Sequence, residues 1–168
     1  QTNENNVIYR SHHLYQIFPP EKYGEPNPEF YTDGIPPKPE NNNSHTPNPC
    51  FTADGIVDAA VAEIIAYFDQ NPGENSISLG VNDGEYCEAH PSHPEYPGKI
   101  NSVGRVHMSD IYYEWVNEVV EQVLEVHPDK WFGALAYSNV TDPPSFPIHP
   151  RVVPFYTKDR NTWIDEDI

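Results

Sequence analysis

Positive charge is the scarcest commodity in this sequence: nine Lys and Arg residues stand against 26 Asp and Glu, for a formal net charge of −17. Such a balance argues against phosphate backbones and anionic membrane surfaces as partners, because both are themselves negative. No apolar run approaches the roughly 18 to 20 residues of a bilayer span, and no basic-then-apolar leader precedes Gln1. The expectation is a soluble chain from which any export signal has been removed. Cysteine is nearly absent too: Cys50 and Cys87 are too few for a disulfide scaffold, but enough for one bridge or part of a metal site. There is no Gly-x-Gly-x-x-Gly, no phosphate loop and no Gly-x-Ser-x-Gly, so nucleotide and serine-hydrolase chemistry have no support.

Proline, by contrast, is abundant, with 19 residues among 168, while aromatics stay at 12% and apolar residues at 37%. Disordered low-complexity chains are poor in aromatics, so this composition reads as one folded domain over 1–168 with long Pro-rich loops. The length falls short of the roughly 200 to 250 residues of a complete (β/α)8 barrel. Asn42-Asn43-Ser44 and Asn139-Val140-Thr141 fit the N-glycosylation pattern, with Asn42 and Asn139 as acceptors. Together with the acidity and the asparagine-rich, lysine-poor composition they point to a secreted glycoprotein.

Along the chain, Val7 to Phe18 reads as one short strand, followed by a Pro/Asn-rich surface excursion to Pro49 in which proline forbids helix. From Asp54 to about Asp69 apolar residues recur at three and four, the helix period, until Asn71-Pro72-Gly73 stops it. Ser76 to Val81 is a buried strand ending at Asn82-Asp83-Gly84, and a second loop runs from Glu85 to His107. A helix follows with Ser109 as N-cap. Its apolar stripe should bury Trp115, Val119 and Val123 and leave Glu114, Glu118, Glu121 and Glu125 in solvent. Strands over Trp131–Tyr137 and Val152–Tyr156 complete the chain. This order predicts an α/β architecture with parallel strands, whose carboxyl ends gather Asn82, Asp83, Tyr137, Ser138, Tyr156 and the loops behind them at one functional edge. The Glu85 to His107 loop should therefore lie beside the Pro-rich excursion.

Several landmarks resemble an uncharacterised family of secreted bacterial proteins: Pro20-Glu21-Lys22-Tyr23, Pro28-Glu29-Phe30-Tyr31, Pro49-Cys50-Phe51, Leu79 to Gly84 with Cys87-Glu88, and Leu135-Ala136-Tyr137-Ser138. That family is similar to α-glucuronidases and β-N-acetylhexosaminidases, and the resemblance implies a partial (β/α) barrel, about half of a TIM-barrel-like domain, completed by self-association or a further chain. Its relatives continue from Asn-Asp-Gly into Cys-x-Cys-x-x-Cys, whereas Ala89 and Ser92 follow Cys87 here. The implied activity is hydrolysis of polysaccharide glycosidic bonds by paired carboxylates, without a cofactor; the alternative is a non-catalytic carbohydrate-binding or structural subunit of an extracellular assembly.

On that reading Asp83 and Glu85, with Glu88 nearby, are the catalytic candidates, since glycosidases flank the scissile bond with two carboxyl groups. The plainer reading of Asp83 is a turn residue, as Asn-Asp-Gly is good turn chemistry. Asn82, Tyr137, His13 and Tyr86 are candidates for sugar contacts, alongside His12, Tyr96 and Trp131; core packing is the competing role for most of the aromatics. Arg10 suits a substrate carboxylate or an ordinary salt bridge. Cys87-x2-His90-x2-His93 has zinc-ligand spacing with Cys50 as a possible fourth donor. The competing assignments are free thiols and a Cys50–Cys87 disulfide, which the βαβ arrangement favours by bringing both to the carboxyl edge of adjacent strands.

Overall fold

The computed structural model describes residues 7–157. Three parallel strands, β1 (Ser76–Ser78), β2 (Trp131–Ala136) and β3 (Val152–Tyr156), form one open sheet in the order β1-β2-β3. Two long helices, α3 (Ile56–Gln70) and α4 (Ser109–Val126), pack on each other, and the rings of Phe68 on α3 and Phe132 on β2 meet edge to face. The α/β class and the parallel pairing are as expected; among the described residues the sheet is open and does not close into a barrel.

Each helix forms where its apolar period predicts. Ile56, Ala60, Ile64 and Phe68 give α3 its buried stripe. On α4 Trp115, Val119 and Val123 are buried, while Glu114, Glu118, Glu121 and Glu125 are exposed. Ser109 does not cap α4. It is the first helical residue, too far along to reach the N2 and N3 amides, and its hydroxyl donates instead to Asp142 O at 2.6 Å.

The N-terminal third departs most from expectation. Residues 7–11 form no strand but cross the sheet face opposite the helices, held by serine side chains: Tyr9 N–H donates to Ser76 Oγ and Ser11 N–H to Ser78 Oγ. Glycine makes this crossing possible. A Cβ on Gly133 would lie 1.9 Å from Tyr9 O, and one on Gly80 would lie 2.2 Å from Ser11 O. The Pro-rich stretch is likewise not a loose excursion. Short helices α1 (Leu14–Ile17) and α2 (Pro20–Tyr23) open it, and α2 carries proline at its first turn, where the missing N–H costs no internal bond. Phe18, Tyr23 and Phe30 are buried and pack ring against ring at 5.7 to 6.1 Å. Phe18 and Phe51 both reach Trp115 on α4, which fastens the Pro-rich layer to the main core.

Candidate functional site

The carboxyl ends of the strands converge as the topology requires. Beyond Leu79, whose N–H donates to Gly133 O, the chain leaves the ladder and continues extended to Asn82. The turn that follows is clasped by the Pro-rich layer: Asp83 N–H donates to Ser44 O at 2.7 Å and Asn48 N–H to Glu85 O at 2.7 Å. A Cβ on Gly84 would lie 2.4 Å from Thr46 O, so only glycine allows this approach. The two loops are therefore neighbours, and Cys50 and Cys87 complete the junction with a disulfide at a Cα separation of 5.2 Å. Zinc has no place on these sulfurs. His90 and His93 spend their Nδ1 atoms on local turns, with Ser92 and with the Glu95 amide, and among the described residues no group of His, Cys, Asp and Glu is disposed to hold a metal.

Asp83 projects from this junction. Tyr137, one residue past the end of β2, donates its hydroxyl to Asp83 Oδ1 at 2.8 Å, and His45 Nδ1 lies 3.5 Å from Oδ2. The Tyr137 ring meets His12 edge to face at 5.8 Å, and His12 Nδ1 lies 2.5 Å from Val81 O. A carbonyl only accepts, so Nδ1 is the donor in this contact. Asp83, Glu85, Tyr86 and Tyr137 line one cavity of about 720 Å3, whose far wall is Ile100 to Val106, closed by an antiparallel bridge between those two residues. Arg105 is also part of its lining. Such a volume suits a small-molecule or sugar ligand.

Other candidates fall elsewhere. The Asn82 side chain is spent on the scaffold, accepting from Tyr15 N–H at 3.0 Å and donating to Pro47 O at 3.3 Å. His13 precedes α1, donates its backbone N–H to Gly80 O and is kept neutral to lower pH by burial, outside the cavity lining. Arg10 neither forks a carboxylate nor forms an ion pair among the described residues; its guanidinium stacks 4.6 Å from the Phe155 ring centre, as Arg151 does on Trp131 at 4.8 Å. Asn42 Nδ2 donates inward to Tyr15 O at 2.8 Å, the nitrogen a glycan would occupy, and Asn139 lies in the cavity lining.

Two buried groups in the site loop stand out. The Tyr86 hydroxyl has no hydrogen-bond partner, and burial raises its pKa well above the usual phenol value. Glu88 is fully buried: Oε1 accepts from Thr52 N–H at 3.1 Å, Oε2 is unpartnered, and burial raises its pKa. In the sequence Glu88 carries no mark of a scaffold role, yet it and the disulfide together bind the 87–89 turn to the start of the α3 approach.

These features define an α/β domain with a polar, acid-bearing cleft at the carboxyl ends of a parallel sheet. The chain belongs to the family described as Domain of unknown function (DUF4838), which matches residues 1–167. No curated protein and no solved structure matches it. No helix among the described residues is long and apolar enough to cross a membrane.

Proposed function

We propose that this chain is a secreted carbohydrate-active domain, of glycoside-hydrolase-like barrel type, that holds a glycan in the cavity around Asp83 and cleaves glycosidic bonds there with paired carboxylates. The observation that carries this reading is the Asp83–Tyr137 hydrogen bond, which joins the ends of two adjacent strand segments at the wall of a cavity also lined by Glu85. Asp83 is the carboxylate best placed to face developing positive charge on a sugar ring, because Tyr137 fixes one of its oxygens. Glu85, exposed on the same wall, is the second carboxyl group. Glu88 is sealed from the cavity and pins Thr52 instead. The disulfide suits an oxidising compartment, in keeping with secretion.

A non-catalytic glycan-binding role is the second reading, favoured by the thorough commitment of Asn82 to the scaffold. The two separate on one experiment. Wild type and Asp83→Asn are incubated with a panel of aryl glycosides and uronides, and glycan binding is measured in parallel. Hydrolysis that falls at least about 100-fold in Asp83→Asn, the scale of losing a catalytic carboxyl group, supports the first reading. Turnover unchanged by the substitution removes Asp83 from the mechanism, and binding without turnover in wild type establishes the second.

A further inference from the structure

Within the Pro-rich layer lies a hollow of about 260 Å3 that carries no charge. Tyr31, Ile35, Pro36, Pro37 and Pro47 supply its walls, and among the described residues no Asp, Glu, Lys, Arg or His joins them. In a chain of net charge −17 an uncharged hollow of this kind suits an apolar guest. Its rim holds Ile35, a large apolar side chain left 72% exposed. The other polar side chains of the lining are already engaged. The Thr46 hydroxyl accepts from Asn43 N–H at 2.9 Å, while Asn48 donates to Asn82 O and Gly84 O and accepts from Asn82 N–H. Thr32 is the exception: its hydroxyl is shut away from water and has no hydrogen-bond partner. A buried polar atom without a partner is rare in a native fold and calls for an explanation. Thr32 is also the one residue that lines both this hollow and the Asp83 cavity, so the unpaired hydroxyl belongs to the wall the two share. The two meet a second time where Gly84 of the cavity lies against Thr46 of the hollow, 2.4 Å from its carbonyl oxygen once a Cβ is placed on the glycine. An apolar cavity of about 150 Å3 holds one benzene ring, so the larger hollow admits a substituted or fused aromatic ring.

We propose that this hollow is the aglycone subsite of the Asp83 cavity: it takes the aromatic ring of a sugar joined through oxygen to a phenol, with the linking oxygen at Thr32 and the sugar beside Asp83. This rests on the reading of the Asp83 cavity as a glycan site and adds the class of group to which the sugar is attached. A second sugar ring suits the hollow poorly, because its several hydroxyls meet one free hydroxyl and otherwise apolar walls. A charged substituent loses its hydration there and gains no opposite charge.

The test is calorimetric titration of the full chain with the methyl, phenyl and 2-naphthyl glycosides of each sugar in a common panel, at low and high salt. Asp83→Asn is titrated beside the wild type, so that turnover does not deplete the ligand. For the sugar the cavity accepts, the phenyl and naphthyl glycosides are expected to bind at least about 10-fold tighter than the methyl glycoside. That preference should persist at high salt, since burial of an apolar ring is not screened. Ile35→Asp, at an exposed position on which the core does not depend, should reduce the preference to within about 3-fold. Thr32→Val removes the orphaned hydroxyl at nearly constant shape, so the thermal midpoint should hold or rise while the aryl glycosides weaken by about 3- to 10-fold. Methyl and aryl glycosides bound equally well overturn the subsite and leave the glycan reading of the Asp83 cavity standing. An aryl preference that Ile35→Asp or Thr32→Val leaves intact does the same. An aryl preference that weakens as protein concentration rises shows a second copy of the chain in the hollow, and this too overturns the proposal. Binding of no glycoside at all defeats the glycan reading itself, and the subsite with it.

Discussion

Cutting the Cys50–Cys87 bridge tests the junction on which the cleft is built. The bridge closes a loop with a sequence separation of 37. The chain-entropy relation, applied to a loop of that size, gives about 4 kcal/mol of destabilisation of the unfolded state at 25 °C. Part of the junction survives without it: Cys50 N–H still donates to Phe30 O, Asn48 N–H to Glu85 O and Thr52 N–H to Glu88 Oε1. Those contacts keep the native state together, so the loss should appear almost wholly as a more open unfolded chain. Cys50→Ala/Cys87→Ala is therefore expected to lose roughly 3 to 4 kcal/mol in urea unfolding, with a slightly steeper denaturant dependence because the unlinked chain exposes more surface. With a slope near about 2 kcal/mol per M, the midpoint falls by about 1.5 to 2 M. Either single alanine variant should lose about as much, since each breaks the same bond. A midpoint unmoved by the substitutions, or by reductant on the wild type, would refute the argument, because it would mean that the bridge constrains nothing the rest of the fold does not already hold.

Two further outcomes follow from single contacts. Gly133→Ala places a Cβ 1.9 Å from Tyr9 O, so residues 7–11 must lift from the sheet; faster amide exchange at Tyr9 and Ser11 and a loss of about 2 kcal/mol or more are expected. Gly73→Ala, where a Cβ meets nothing within 4 Å, should be neutral or mildly stabilising, and equal effects at the two glycines would deny the crossing. Glu88 has a folded-state pKa raised by burial above its ordinary value of 4.5. Its contribution to stability is then fully present below about 4.5 and is lost as pH rises through the folded value. Stability of the wild type should fall relative to Glu88→Gln across that window, and parallel stability–pH curves would show that the carboxyl group is not desolvated.

The two long helices and all three strands were legible because each depends on local periodicity: α3, α4 and β3 lie within two residues of where their patterns place them. The Asp83–Tyr137 meeting was legible in outline, since parallel strands bring their carboxyl ends together whatever the side chains. What escaped is held by long-range contacts that leave no period. Val7 to Ser11 has the composition of a strand, yet the serines at 76 and 78 and the glycines at 80 and 133 draw it across the sheet instead. Prolines 20 and 28 look like helix breakers in the sequence, but at the first position of a helical turn they are starters. The role of Glu88 was hidden because a buried carboxyl and an exposed one are the same letter; only the Thr52 amide tells them apart.

The backbone of the sheet bears on whether a further strand could extend it. Phe132 N–H donates to Arg151 O and Thr157 N–H to Ala136 O, so the odd-numbered residues of β3 turn their polar groups toward β2. Val152, Pro154 and Tyr156 then turn theirs outward. Pro154 has no N–H, and that of Val152 is already given to His149 O. A strand added beyond β3 would thus find one amide donor, from Tyr156, where a regular edge offers three. Proline at an outward position is how sheets blunt an edge against further pairing. At the other margin, just past β1, Gly80 O accepts from His13 N–H. The margin of β3 is thus blunted from within the chain. It also directs any partner that extends the fold toward the cleft loops rather than toward the ladder of β3.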